Sequence, residues 1–158
     1  MTATLERRLE VIKLARAHNI LIIEDDPYYY LYFGSRPRPP SYFALEARDG
    51  GRTGYVLRFD SFSKILSAGI RIGAVTGPEP LLRAIDMHTA TANLQVSSLT
   101  QAITYTLMSS WGYDGFCKHT EEVSNLYRMR RDIFENAMKR HLDGLADWDT
   151  PEAGMFFW

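Results

Sequence analysis

The chain has 158 residues, 46% of them hydrophobic and 23% charged, a globular composition that excludes a disordered tail. Its 18 Lys and Arg against 19 Asp and Glu leave a formal charge of -1, which gives no electrostatic footprint for a nucleic-acid backbone or an anionic lipid surface. A single cysteine, Cys117, excludes an internal disulfide framework, and His18, His88, His119 and His141 do not fall at metal-ligand spacing. No window reaches the roughly 20 apolar residues of a membrane-spanning helix. Glu6 and Glu10 argue against a transit peptide, so a soluble, cytoplasmic protein is expected.

In chain order, Leu5, Leu9, Ile12 and Ala15 recur at spacings of four and three, which predicts an amphipathic helix over 4–18, ended at Asn19. Ile20-Leu21-Ile22-Ile23 is a β-branched-rich run without alternation and reads as a strand buried on both faces. Glu24-Asp25-Asp26-Pro27 and three tyrosines, Tyr28 to Tyr30, follow at its carboxyl end, where open α/β sheets hold their ligands. Residues 34–53, rich in Pro and Gly, read as a surface excursion. A second strand is expected over 55–60, with Ser61-Phe62-Ser63-Lys64 at its end, and a third over 70–77. Proline at 78 and 80 opens a helix through about His88. Two more helices are expected, over 100–111 and 115–142. The second should carry Val123, Leu126, Met129, Ile133 and Ala137 as one apolar stripe, with the pairs Arg131/Glu135 and Glu135/Lys139 on its outer face. The chain closes on the strand-like Met155-Phe156-Phe157-Trp158. Opening in the middle of an α/β alternation and stopping inside such a run, it reads as an internal fragment.

Asp25, Tyr28, Ser61, Ser63, Lys64 and Arg71 thus gather at two strand ends and the entrance to a third. An acid, a phenol, two hydroxyls, an amine and a guanidinium are what a phosphorylated pyridine aldehyde requires. The carboxylate holds a ring nitrogen protonated and makes the ring an electron sink, and the phenol meets the ring hydroxyl. The amine forms a Schiff base and, once released, moves a proton. The hydroxyls and the guanidinium fork suit a phosphate dianion.

The segments Ile22 to Tyr29, Asp60 to Ile65 and Gly69 to Gly73 together resemble the class I/II aminotransferases of pyridoxal-phosphate fold type I, and more closely their aromatic amino acid, α-aminoadipate and kynurenine branch. Leu31-Tyr32-Phe33, Trp111-Gly112 and Pro151-Glu-Ala-Gly-Met-Phe extend the match in order. The resemblance implies an α/β fold. Residues 1–111 would be the C-terminal part of the cofactor-binding large domain, a mostly parallel sheet with helices. Residues 112–158 would be the interdomain helix and the first part of a small α+β domain.

It further implies pyridoxal 5'-phosphate as cofactor, with Lys64 as the lysine bonded to it, Asp25 as pyridinium partner and Tyr28 as partner of the ring hydroxyl. Ser61, Ser63 and Arg71 become phosphate ligands, Pro27 shapes the turn beside the ring, and Leu94-Gln-Val-Ser faces the other subunit of a homodimer. Transamination between an aromatic, kynurenine-like or aminoadipate donor and a 2-oxo acid such as 2-oxoglutarate follows. The family's Asn-Pro-x-Gly turn, its upstream phosphate-binding turn and ring-stacking aromatic, and its carboxylate-binding arginine are not found in these residues, and the 34–53 excursion is longer than usual.

Duller readings exist for each residue alone. Ser-x-Ser-Lys arises often by chance. Asp25 or Asp26 before Pro27 could be a turn cap, Arg71 an inward edge-strand charge, and Tyr29 and Tyr30 packing aromatics. Cys117 reads as a small buried residue on the long helix and the histidines as helix-surface or helix-end residues. Two other functions compete: the ligand-sensing domain of a transcription regulator with this fold, and an inactive remnant. Order and spacing of the matching residues favour the enzyme.

Overall fold

The first helix begins where Thr4, in extended backbone, accepts the Arg7 N–H on its side chain at 3.3 Å, leaving α1 to run over Leu5–His18. Asn19 ends it in the left-handed conformation. The computed structural model describes residues 2–158, which divide into two compact units.

The larger unit comprises Ala3–Pro27 and Pro39–Leu107. It holds a three-stranded sheet in the order β1 (Ile22–Asp25), β2 (Val56–Ser61), β3 (Gly73–Thr76). β1 and β2 run parallel and β2 and β3 antiparallel, so the sheet is mixed. A helix absent from the sequence expectation, α2 (Tyr42–Arg48), forms inside the 34–53 excursion. Ser41 caps it, accepting the Ala44 N–H at 3.0 Å, and Leu45 and Glu46 are buried beneath it. Three prolines at 37, 39 and 40 dominate the local composition and conceal its short periodicity. Ile12, Ala15, Leu45, Tyr55, Val56, Leu57 and Ile65 form the core.

Several expectations shift. The strand expected over 20–23 sits two residues later and includes Glu24 and Asp25. It is not buried on both faces: Ile23 is 66% exposed, whereas Glu24 on the opposite face is buried against Arg8 of α1 and the first N–H groups of α2. The α1 stripe is rotated as well, with Leu5 exposed and Arg8 buried in its stead. The third strand is trimmed to Gly73–Thr76, since 68–70 form a 3-10 turn and Arg71 is left-handed. Gly73 permits the approach of β2, for a Cβ there would lie 2.8 Å from the Asp60 carbonyl oxygen. Helix α3 (Glu79–Ala92) continues past His88.

The smaller unit comprises Thr2, Tyr28–Arg38 and Met108–Trp158. Most of it is residues 108–142 of the long helix α4 (Ser98–Leu142), whose first ten residues belong to the larger unit and which is interrupted at Gly112 (φ 61, ψ -169), between the two helices that the sequence separates. Its buried face is Phe116, Thr120, Ser124 and Glu135, with the Ser124 hydroxyl donating to the Tyr32 carbonyl at 2.6 Å. Leu126, Met129, Ile133 and Ala137 of the expected apolar stripe are exposed and Val123 is half-buried. Glu135, expected outside, is buried and accepts from the Thr150 hydroxyl as well as pairing with Lys139 at 3.1 Å. Arg131 turns to Asp132 and the Pro151 carbonyl. Cys117 is exposed, opposite to expectation, because Phe116 takes the inward position beside Tyr30. The four histidines all lie in helices. The C-terminal run is not a strand: only Ala153 bridges, to Tyr32, and 155–158 find no ladder partner among the described residues.

Candidate active site

Everything that matters chemically in the larger unit follows from β2 ending at Ser61. The Ser61 hydroxyl oxygen accepts the Ser63 N–H at 3.2 Å and so caps a 3-10 turn over 62–64, which brings Lys64 round immediately beyond the strand. The Phe62 N–H donates to the Ile72 carbonyl at 3.0 Å and ties the turn to the chain returning into β3. A second turn, over 68–70, is capped by Ser67, whose hydroxyl accepts the Gly69 N–H at 3.3 Å. Arg71 follows with φ 51 and ψ 37, a conformation uncommon outside glycine. From there its guanidinium donates to the Ser63 hydroxyl at 3.3 Å and to the Ala68 carbonyl at 3.2 Å. Arg71 is therefore not an edge-strand charge; its backbone turns it back over the loop.

Asp25 is the last residue of β1 and the register partner of Phe59, two residues before Ser61. Directly paired residues of neighbouring strands share a sheet face and alternate residues face opposite ways. Ile23, Asp25, Phe59 and Ser61 therefore belong to one face, and Glu24, Arg58 and Asp60 to the other. Asp25 is exposed, whereas Ser61, Ser63 and Lys64 are half-buried. Pro27 closes this segment, two residues past the strand.

Tyr28 falls in the smaller unit, where its ring meets Phe156 edge-on at 5.9 Å and Gly154 approaches it. Tyr29 and Tyr30 pack as expected: they meet edge-on at 5.2 Å beneath the Arg38 guanidinium, and Tyr30 packs on Phe116.

The underside of the sheet holds a charge network that the sequence reading passed over. The Glu24 side chain, 4% exposed, accepts the N–H groups of Tyr42 and Phe43 at 2.9 and 3.2 Å. It also faces the guanidinium groups of Arg8 at 3.5 Å and Arg58 at 3.3 Å. Arg58 forks onto Asp60 at 2.8 and 2.5 Å. Burial pulls the Arg58 guanidinium toward deprotonation, but its bonds and attraction to Asp60 and Glu24 outweigh this and raise its pKa. The legible signal was Arg58-Phe59-Asp60, two opposite charges on one face of a strand.

Two hydroxyls, a guanidinium and an amine within eleven residues, with a carboxylate on the same sheet face, form a set able to hold an anion and bond a carbonyl. No group of three potential metal ligands occurs among the described residues, and no described helix is long and apolar enough to cross a membrane.

Known proteins resemble the chain in sequence and in fold. The chain is 45% identical to the aminotransferase tdiD of Emericella nidulans over 158 residues, covering 99% of the chain and 36% of tdiD. It is 42% identical to the mitochondrial kynurenine/alpha-aminoadipate aminotransferase of Bos taurus, covering 98% of the chain and 35% of that protein. The crystal structure of LysN, the alpha-aminoadipate aminotransferase of Thermus thermophilus complexed with N-(5'-phosphopyridoxyl)-L-leucine, matches 98% of the chain and 38% of LysN with a TM-score of 0.89 at 30% identity. The aromatic aminotransferase Aro9 of Candida albicans matches 99% of the chain and 37% of Aro9 with a TM-score of 0.89, also at 30% identity. The fold is thus the α/β fold of the type I pyridoxal-phosphate aminotransferases, and the chain spans little more than a third of the length of these relatives. The sequence profile of aminotransferase class I and II matches residues 1–158, and the chain belongs to that family.

Proposed function

We propose that this chain is the lysine-bearing part of a pyridoxal-phosphate aminotransferase that moves an amino group between an amino acid and a 2-oxo acid. The observation that carries the reading is the placing of Ser61, Ser63, Lys64 and Arg71 on two neighbouring turns joined by the Arg71–Ser63 hydrogen bond, with Asp25 on the Ser61 face of the adjoining strand. The donor set fits the cofactor: two hydroxyls and a guanidinium for its phosphate, an amine for its aldehyde and a carboxylate for its ring nitrogen. When bound, the cofactor supplies an electron sink for the charge left as a substrate Cα–H bond breaks.

The residues divide the remaining work. Asp25 would keep the ring nitrogen protonated. Lys64 would hold the cofactor's aldehyde carbon, and its freed Nζ would carry away the proton released from the substrate Cα. Arg71 would offer a phosphate the fork of its guanidinium, where a lysine would offer a point charge. Pro27 would shape the turn beside the ring, and Tyr28 would meet the ring hydroxyl. We assign residues 1–111 to the end of the large domain and 112–158 to the interdomain helix and the start of the small domain.

Aromatic, kynurenine-like or aminoadipate donors, with 2-oxoglutarate as acceptor, are supported by the names of the bovine, Thermus and Candida proteins. A homodimer is supported by Leu94, 73% exposed, at the head of the segment assigned to the subunit contact. The regulator reading has less support, since the similar proteins named above are all aminotransferases.

Borohydride reduction of the full-length protein with pyridoxal 5'-phosphate, followed by peptide mapping, tests the reading. Label on Lys64 is the expected outcome; label on Lys13, Lys118 or Lys139 overturns it.

A further inference from the structure

Glu24 and Arg58 are direct partners across the β1–β2 ladder, and the structure assigns this buried pair a positioning role: it locks the register that places Asp25 on the site face, level with Phe59 and two residues short of Ser61. The inference rests on the reading of Asp25 as a cofactor ligand and deepens it.

The need for a lock arises in the sequence. A strand whose apolar residues alternate with polar ones has its register fixed by burial, because a slip of one residue turns every side chain to the wrong face. Ile20-Leu21-Ile22-Ile23 does not alternate, so its hydrophobicity specifies neither face nor register. Three adjacent carboxylates then follow, Glu24 and Asp25 within β1 and Asp26 just beyond it, and of the two in the strand only one can face the site. What distinguishes them is the underside. Glu24 finds two helix N–H groups and two guanidinium groups there, an environment that four charge-assisted contacts make favourable for a buried carboxylate.

A slip of one residue would withdraw Glu24 and leave Arg8 and Arg58 buried without it, which is the costly way to break a buried ion pair. Arg58 is itself held by the fork to Asp60, next to Ser61, so the same network braces the strand that delivers Lys64. Buried polar pairs that fix register at the expense of stability are an established device in other folds.

A double-mutant cycle in the full-length protein tests this, with Glu24→Gln, Asp25→Asn and the double variant. Two quantities are measured: affinity for pyridoxal 5'-phosphate by absorbance titration of the apoprotein, and the visible circular dichroism of the bound cofactor, which reports a fixed ring orientation. Glu24→Gln is expected to weaken cofactor binding about tenfold and to lower the dichroism per bound cofactor. The double variant should bind within about twofold of Asp25→Asn alone, since both changes act through one carboxylate. Effects of the two substitutions that multiply, or a Glu24→Gln protein that melts earlier while affinity and dichroism stay at wild-type values, overturn the proposal. Should Glu24→Gln not fold, Arg58→Lys, which keeps the charge and loses the fork, enters the same cycle under the same criteria. A wild-type protein that binds no cofactor, or an Asp25→Asn protein that binds it unchanged, overturns the functional reading itself.

Discussion

Arg71 reaches the Ser63 hydroxyl at 3.3 Å only because its own backbone is left-handed, so the phosphate ligands proposed here depend on a conformation that few residues other than glycine adopt. The two turns that carry them are each closed by a serine cap, which leaves the guanidinium little freedom to lose when an anion arrives. Arg71→Lys keeps the charge and removes the fork. It should weaken binding of pyridoxal 5'-phosphate by about tenfold, near 1.4 kcal/mol, while leaving the affinity for pyridoxal, which has no phosphate, unchanged. Equal losses for both ligands would mean that Arg71 supports the loop and does not meet the phosphate.

Asp25→Asn preserves the shape of the side chain and removes its charge. The ring nitrogen then loses its partner, so the chemical step should slow more than tenfold, over about 1.4 kcal/mol of barrier, with little change in substrate KM. Asp26→Asn is the control and should leave kcat within a factor of about two. A reversal of the two results would transfer the role to the neighbouring acid.

Much of this site was legible without coordinates because its chemistry is concentrated in contiguous segments. Ser61-Phe62-Ser63-Lys64 directly follows a strand that the sequence predicts, and Asn19 announces the end of α1. What escaped was non-local. The burial of Arg8 and Glu24 depends on each other, on Arg58 and on the N–H groups of a helix that prolines concealed. The inward face of α4 was misjudged for a related reason: Ser124 and Glu135 point inward because Tyr32 and Thr150 supply partners, and apolar periodicity carries no information about such bonds.

Arg16 and Asp49 offer a pH test of the link between α1 and the end of α2. The hydrogen bond from Arg16, at 2.9 Å through one of its two contacts, is the main cause holding the Asp49 carboxyl below its ordinary value of 3.8. A carboxylate whose pKa is depressed by folding contributes stability above its unfolded value and loses that contribution as pH falls through the folded value. Asp49→Asn should therefore lower the melting temperature of the full-length protein slightly at pH 7, the pair being close to solvent. The difference from wild type should shrink steadily as the pH is taken below about 4. A difference that persists undiminished at pH 2 would show that the asparagine acts through something other than charge.

Expressed by itself, the 158-residue chain is expected to self-associate and to transfer no amino groups. Ile23 of β1 is 66% exposed, and Leu126, Met129 and Ile133 stand exposed at spacings of three and four along one side of α4, with Ile133 72% accessible. Each such side chain gains roughly 1.5–3 kcal/mol when fully buried, and soluble monomers seldom leave runs of them in water. Among the described residues β1 also presents an unpaired edge, its ladder being made to β2 alone, and an open strand edge invites pairing with another copy. Catalysis faces a separate obstacle: the proposed site holds the cofactor's phosphate and ring nitrogen from one side only, and both ring and substrate need partners on the other. Sedimentation of the purified chain, dye binding to exposed apolar surface and glutamate formation from kynurenine, tyrosine or aminoadipate with 2-oxoglutarate check the expectation together. A monomer that binds no dye and forms glutamate would show that these residues suffice for the reaction.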